Sequence, residues 1–429
     1  MEFFKKSWQK IAFFFAIMGP GLITATADND SGGIATYAVA GAQFGYSLLW
    51  TLIPVTILLV YTLDISTKLG VMTRQGLAAL IREKFRIRLT LMLLVLVLLA
   101  NFGTTVSEFA GILSSFRIVS VDLHLNAGKI PWGTILETIA VIASGVIVWA
   151  FIVKGSYKRV EKIFLTLVLF YIAYIISAIM AKPDWNAAMT GLVVPTMQFD
   201  SSYLFTMVGL IGTTITPWMY FYHNATVAEK GISEEDLKYS RIDAWIGSIV
   251  TDVVAFFIVV ASAATIFAHK LVVTTIDDIG LSLVPIAGQY AGYLFAFGLF
   301  NASLFAAAIL PLSTAYTICE ALGWETGIDL SFEEAPQFYS IFTGLIVLGA
   351  LVVLIPGAPL LMIMRVSQVA NGILLPIFMV YLLLLAQDEK LMGKYALKGP
   401  VLWFGWASGA VLIVLDILLF VAPFLHIGG

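Results

Sequence analysis

The sequence Ala-Asp-Asn-Asp-Ser-Gly-Gly, residues 27–33, interrupts an apolar segment that extends over residues 11–42. A continuous helix over that segment would be roughly 48 Å long at about 1.5 Å per residue, whereas the hydrocarbon core of a bilayer is about 30 Å thick. A carboxylate at membrane depth is costly without a partner, and paired glycines loosen a helix where freed backbone carbonyl groups can bind an ion. This stretch therefore predicts a cation site at a broken membrane helix.

The composition places the whole chain in a membrane. Of its 429 residues 60% are hydrophobic and 12% are charged, with a mean hydropathy of +0.96, and soluble domains carry about twice that charged fraction. The net charge of −3 and the absence of a separate basic block argue against nucleic acid as a partner. The single cysteine, Cys319, excludes an internal disulfide and a cysteine metal cluster. No cofactor and no protein partner is implied.

Apolar runs separated by polar or Pro/Gly-rich breaks predict eleven transmembrane helices in a single domain. The predicted spans are residues 11–42, 46–70, 89–118, 133–153, 161–181, 202–228, 241–269, 282–320, 336–355, 358–387 and 400–425. The eighth is long enough for a span plus an intracellular extension. Lysines 5, 6 and 10 with Ala-Thr-Ala at residues 25–27 resemble a signal peptide, but the polar break and the many later spans argue against cleavage.

Positive charge predicts the orientation, because short cytoplasmic loops hold the excess of Lys and Arg. With a cytoplasmic N-terminus, nineteen of the 24 Lys and Arg residues fall on the inside. The odd number of spans then places the C-terminus outside the cell. We expect an integral protein of a bacterial plasma membrane.

A second break occurs in the sixth span, where residues 209–218 read Gly-Leu-Ile-Gly-Thr-Thr-Ile-Thr-Pro-Trp. Proline lacks the N–H needed for the helical ladder, so the carbonyl groups of Gly212 and Thr213 should be released. Interrupted helices at matching positions of two halves indicate an inverted-repeat transporter with its site at the midplane. The prediction is an all-α polytopic protein with a leucine-transporter-like fold. Spans 1–5 and 6–10 form the inverted repeat, helices 1 and 6 are broken, and span 11 is appended.

Several motifs resemble the NRAMP divalent-metal transporter family. In the first span these are Gly-Pro-Gly at residues 19–21, Asp-Ser-Gly-Gly-Ile-Ala-Thr at 30–36 and Ala-Gly-Ala-Gln-Phe-Gly-Tyr at 40–46. The family has an Asp-Pro-Gly-Asn motif at the same offset from its Gly-Pro-Gly. Residues 212–218 are similar to the family's Gly-Ala-Thr-Val-Met-Pro-His, and Ser-Gln-Val at 367–369 resembles the tenth helix. With the span count, the resemblance covers essentially the whole chain.

The chain departs from the family at the functional positions. Gly33 stands at the metal-binding asparagine, Thr216 at the methionine and Trp218 at the histidine. The family's Asp-x-x-Glu in the third span is here Thr105 to Glu108. These departures resemble the branch of NRAMP-related magnesium transporters.

Ligand chemistry explains the same departures. A thioether favours softer transition metals, so Thr216 removes a filter against Mg²⁺ and offers a hard oxygen. Gly33 deletes a direct ligand and leaves space for water, and Mg²⁺ usually keeps several waters while binding through one or two carboxylates. We assign Asp30 as the main ligand. Supporting oxygens would come from the carbonyl groups of Ala27 and Thr213, the hydroxyl of Thr216 and, on occlusion, the amide of Gln368.

Other polar residues in the spans have less certain roles. Asp28 either adds negative potential to a vestibule with Asn29 or pairs with a donor on another helix. Asp252, Asp416 and Arg365 fit packing pairs better than pathway positions.

In the family that this chain resembles, the histidine of helix 6 and the acidic pair of helix 3 belong to the proton route. The resemblance therefore implies that proton coupling is lost, since Trp218 cannot titrate and Thr105 carries no charge, although Glu108 and His223 remain. The predicted function is import of partly hydrated Mg²⁺, and with it Mn²⁺, by alternating access. A proton-coupled Mn²⁺/Fe²⁺ importer is the main alternative. An amino-acid or sodium-coupled transporter and a channel are weaker ones. The sequence contains neither His-Glu-x-x-His nor Gly-x-Ser-x-Gly, which argues against an intramembrane enzyme.

Overall fold

The computed structural model describes residues 19–125 and 131–425, and within these ranges the chain forms eighteen α-helices and no strand. The helices are α1 Pro20–Ala27, α2 Ser31–Phe44, α3 Leu52–Thr73, α4 Leu77–Lys84, α5 Ile87–Asp122, α6 Trp132–Val153, α7 Tyr157–Val168, α8 Ile172–Met180, α9 Trp185–Val193, α10 Ser201–Thr214, α11 Pro217–Glu229, α12 Leu237–Ser262, α13 Ile276–Ala287, α14 Gln289–Leu322, α15 Pro336–Val353, α16 Leu360–Ala386, α17 Glu389–Met392 and α18 Gly399–Leu425. The N-terminal lysines and the beginning of the first predicted span lie outside the described residues.

The predicted spans are found as helices. Ten helical runs among the described residues are long and apolar enough to cross a bilayer, and they coincide with the second to eleventh predicted spans. The first span is the pair α1 and α2, each too short to cross alone. The all-α fold with eleven spans is therefore confirmed.

The eighth span begins later than predicted. Residues 282–287 belong to α13, a separate helix that begins with a capping box between Thr275 and Asp278. Gly288 ends α13 with a φ of 90°, which is outside the helical region, and α14 begins at the next residue. The apolar pattern continues across this corner, so hydropathy alone does not show it.

Both predicted helix breaks are present, and local chemistry explains each one. Pro20 begins α1, and Asp30 caps α2 by accepting a hydrogen bond from the backbone N–H of Gly33 at 2.5 Å. In the sixth span α10 ends at Thr214 and Pro217 begins α11. Proline is favoured at the first position of a helix, where its missing N–H has no partner to lose.

Close glycine contacts bring neighbouring helices onto the two breaks. A Cβ on Gly21 in α1 would collide with the backbone of Ala244 in α12, and one on Gly212 in α10 with the backbone of Gln368 and Gly372 in α16. The broken helices are buried almost throughout. By contrast, only 11% of the apolar window of α18 is buried inside the protein. The polar breaks are thus shielded from lipid, while α18 lies at the periphery.

Candidate cation site

Asp30 lies at the centre of the first break and is 1% exposed. Besides Gly33 N–H, its carboxylate accepts two bonds from Gln368 Nε2, at 3.2 Å to Oδ1 and 3.3 Å to Oδ2. No Lys, Arg or His pairs with it within the described ranges. A buried carboxylate without a cationic partner is costly, and a bound cation would compensate it.

Gln368 reaches Asp30 through its nitrogen. Its oxygen accepts a bond from Asn371 Nδ2 at 3.2 Å, and the same Asn371 amide also donates to Thr104 Oγ1 at 3.3 Å. The predicted contact between Gln368 and the first break is therefore present. To serve as a metal ligand, the Gln368 amide would have to exchange its bond to Asn371 for the ion.

Three oxygen atoms converge where Gly33 lacks a side chain. A Cβ at this position would lie 2.8 Å from Thr213 Oγ1, 3.0 Å from the carbonyl oxygen of Asp28 and 3.2 Å from Asp30 Oδ1. Thr213 Oγ1 is buried without a hydrogen-bond partner. Sequence reasoning assigned the carbonyl of Thr213 and missed both this hydroxyl and the Asp28 carbonyl. The missing side chain of Gly33 was the signal that oxygens of both breaks meet there.

The predicted free carbonyl groups are also present. In a continuous helix the Ala27 carbonyl would accept a bond from Ser31 N–H, but Ser31 N–H donates instead to Glu108 Oε2 at 3.1 Å. The Thr213 carbonyl faces Pro217 one turn later, and proline has no N–H. Both carbonyl groups are therefore available to a ligand.

Asp28 and Asn29 connect the first break to other helices. Thr216 Oγ1 donates to Asp28 Oδ1 at 3.3 Å, so Thr216 contacts Asp28 rather than Asp30. Asn29 Nδ2 donates to the Thr251 carbonyl at 3.0 Å, and the Asn29 carbonyl accepts a bond from Tyr171 OH at 3.1 Å. Of the two readings of Asp28, pairing with a donor on another helix is the one observed. Asp28 Oδ2 nevertheless stays without a partner.

The positions of the family's proton route are dispersed. Glu108 reaches the first break by accepting a bond from the N–H of Ser31, the residue after Asp30. The Thr105 hydroxyl donates to the Asn101 carbonyl in its own helix at 2.7 Å. His223 Nε2 bonds Thr67 Oγ1 at 2.7 Å, and the indole N–H of Trp218 is buried without an acceptor. Only Glu108 is brought to the candidate cation site.

The ligands that the candidate cation site offers are oxygen atoms. Among the described residues no cluster of three or more His, Cys, Asp or Glu side chains forms a metal centre. The available ligands are carboxylate, hydroxyl and carbonyl oxygens, with the negative C-terminal end of α1 directed into the break. Hard oxygen donors with few charges suit a hard cation that keeps part of its hydration shell.

Comparison with known proteins agrees with these features. The model of the Nramp family, described as natural resistance-associated macrophage protein-like, matches residues 21–422. The divalent metal cation transporter MntH of Burkholderia ambifaria is 26% identical over 423 residues, covering 96% of this chain and 90% of the relative. MntH of Klebsiella pneumoniae is 26% identical over 405 residues, covering 94% of this chain and 92% of that protein.

Solved structures show the same fold. The manganese transporter of Eremococcus coleocola superposes with a TM-score of 0.74 at 20% identity, covering 94% of this chain and 86% of the other. Mhp1, a nucleobase-cation-symport-1 family transporter, superposes with a TM-score of 0.58 at 15% identity, covering 96% of this chain and 91% of the other. The leucine-transporter-like fold is thus confirmed. Because the family model spans nearly the whole sequence, the chain belongs to the Nramp family of integral membrane transporters and is not an enzyme.

Proposed function

We propose that this protein imports divalent metal ions, Mg²⁺ and with it Mn²⁺, by alternating access and without proton symport. The MntH relatives and the structural neighbour are named as divalent metal and manganese transporters, which supports the cargo class. The single observation that carries the choice of Mg²⁺ is the convergence of hard oxygens at Gly33, where Thr213 Oγ1, the Asp28 carbonyl and Asp30 Oδ1 all lie within 3.2 Å of the position that a Cβ would take. Asp30, Ala27, Thr213, Thr216 and Gln368 would provide the oxygens around the ion.

Hydration explains why this geometry favours Mg²⁺. Mg²⁺ dehydrates reluctantly and is held by one or two carboxylates together with retained waters. The hydroxyl of Thr213, which is buried without a hydrogen-bond partner, can accept a bond from such a water once the site opens to admit one. Thr216 supplies a hydroxyl at the position where a thioether would favour a softer metal. The site therefore lacks a chemical reason to reject Mg²⁺.

Burial of the site supports alternating access. Asp30 is closed off from both sides, so an ion can enter or leave only if a helix moves. The natural candidate is α1, whose N-terminal end is held by Asp243 of α12. The carboxylate of Asp243 accepts bonds from the backbone N–H groups of Gly19 at 3.1 Å, Gly21 at 2.7 Å and Leu22 at 3.2 Å. Breaking this cap would free α1 to swing away on the cytoplasmic side.

The driving force does not require protons. At about 2.3 kcal/mol per charge per 100 mV, a divalent ion gains about 4.6 kcal/mol on entering a cell at that potential. Trp218 and Thr105 cannot exchange protons, which supports transport driven by the membrane potential. The biased distribution of Lys and Arg supports a cytoplasmic N-terminus, an extracellular C-terminus and a location in a bacterial plasma membrane.

A proton-coupled Mn²⁺/Fe²⁺ importer is the second candidate, favoured by the contact of Glu108 with Ser31 N–H beside Asp30. One experiment separates the two functions: uptake of Mg²⁺ and of Mn²⁺ is measured in proteoliposomes together with internal pH. We expect Mg²⁺ uptake that follows the imposed potential, with no acidification in step with the metal. Absence of Mg²⁺ uptake, or acidification proportional to metal uptake, would refute the proposal.

A further inference from the structure

Asp252 in α12 is a buried acid to which the transport site described so far gives no role. It is 6% exposed, and neither of its carboxylate oxygens has a hydrogen-bond partner. Asp28 Oδ2 and Asn29 Oδ1 in the first break are likewise buried and unpartnered. Three neighbouring side chains thus present four acceptor atoms without a donor.

The residue before Asp252 holds α12 against the first break. The Thr251 hydroxyl donates to the Ala25 carbonyl at the end of α1, and the Thr251 carbonyl accepts the bond from Asn29 Nδ2 at 3.0 Å. These two contacts place Asp252, the next residue of α12, next to the first break.

No cationic side chain pairs with Asp252 among the described residues. Thr56 of α3 lies beside its carboxylate, but the Thr56 hydroxyl donates its proton to the Leu52 carbonyl at 2.7 Å. None of the ion pairs in the described part of the chain includes Asp28 or Asp252. Burying acceptor atoms without a donor costs free energy unless a bound cation compensates them.

Ligand chemistry points to a divalent ion. The buried carboxyl groups of Asp28 and Asp252 and the amide of Asn29 present unpartnered hard oxygens, which suit Mg²⁺ or Mn²⁺ together with retained waters. We infer that Asp252, Asp28 and Asn29 form a second subsite for a partly hydrated divalent cation, on the α1 and α12 side of the transport site. The inference rests on the proposed function, because it gives the transported ion a second position.

Such a subsite has a consequence for release. When one ion occupies the Asp252 subsite and a second ion arrives at Asp30, the two ions repel each other, because each carries two positive charges. The ion in the Asp252 subsite is held by α1 on one side. Movement of α1 therefore dismantles this subsite first and directs the ion toward the end of α1 that Asp243 caps.

The test counts ions bound to the purified full-length protein in nanodiscs. Mn²⁺ is the probe, free Mn²⁺ is measured by electron paramagnetic resonance, and Mg²⁺ is added as competitor. We expect two exchangeable ions per wild-type chain, and loss of one of them in Asp252→Asn. Asp252→Glu should keep both ions. The matched control is Asp416→Asn, the same substitution in the peripheral helix α18, which should also keep both.

Two results would overturn the inference. One is a single bound ion in the wild-type protein, which needs no variant to fold. The other is an Asp252→Asn protein that elutes like the wild type in gel filtration and still binds both ions unchanged, since Asp252 would then be a neutral packing residue. Mg²⁺ uptake by wild-type proteoliposomes is measured in parallel. Two bound ions without uptake would refute the transport proposal but support the subsite. Uptake with a single bound ion would support the transport proposal but refute the subsite.

Discussion

Converting the candidate site toward a softer metal is the most direct test of the selectivity argument. The change is Gly33→Asn with Thr216→Met, which restores an amide oxygen and a thioether. The geometry predicts a steric problem: the new Cβ would lie 2.8 Å from Thr213 Oγ1, closer than an ordinary van der Waals contact. Overpacking of this kind costs about 1–3 kcal/mol. Thr213→Ala removes the crowded hydroxyl, so the triple variant should recover stability that the double variant loses.

The expected change in preference follows from ligand chemistry. The thioether interacts favourably with Mn²⁺ and contributes little to Mg²⁺, and the asparagine amide oxygen would replace a water that Mg²⁺ retains. A differential of about 1.4 kcal/mol would change the ratio of Mn²⁺ to Mg²⁺ transport tenfold, and we expect at least that shift toward Mn²⁺.

The assay is uptake of each ion at equal subsaturating concentration in proteoliposomes, with thermal stability recorded on the same preparations. Leu204→Met is the control, because it places a thioether in α10 several turns before the break. An unchanged Mn²⁺ to Mg²⁺ ratio in a stable triple variant would refute the argument and place selectivity elsewhere.

Three further predictions test other parts of the site. Asp30→Ala should abolish Mg²⁺ uptake without changing elution in gel filtration, since the main carboxylate ligand is lost; uptake that survives would remove Asp30 from the site. Glu108→Gln should keep potential-driven Mg²⁺ uptake within about threefold, because the new amide oxygen still accepts Ser31 N–H and a neutral–neutral bond differs by about 1 kcal/mol; its abolition would indicate a required proton. Asp243→Asn weakens a charged acceptor for backbone N–H groups worth about 1.5–3 kcal/mol. It should therefore speed thiol labelling of Ile23→Cys in a Cys319→Ala background about tenfold, and equal rates would mean that the cap does not hold α1.

Local chemistry explains how much of the fold could be predicted from the sequence. Apolar length defines a span, and Pro217 and the glycines beside Asp30 break a helix wherever it packs. The eleven spans and both breaks could therefore be predicted. The corner at Gly288 could not, because the apolar pattern passes through it and the turn depends on a φ of 90° at one residue.

The candidate site was only partly predictable. The order of residues is enough to predict acidic side chains and free carbonyl groups at the two helix breaks. It also shows that neither break carries a thioether. Which atoms meet depends on how the helices pack. Packing brings the hydroxyl of Thr213, not only its carbonyl, toward Gly33, and it pairs Thr216 with Asp28. It also places Asp252, which follows Thr251, next to the first break. A side chain's direction is set by its own helix, whereas its partners come from other helices. Those helices are held together by close contacts such as Gly21 on Ala244, whose partners lie more than two hundred residues apart in the sequence.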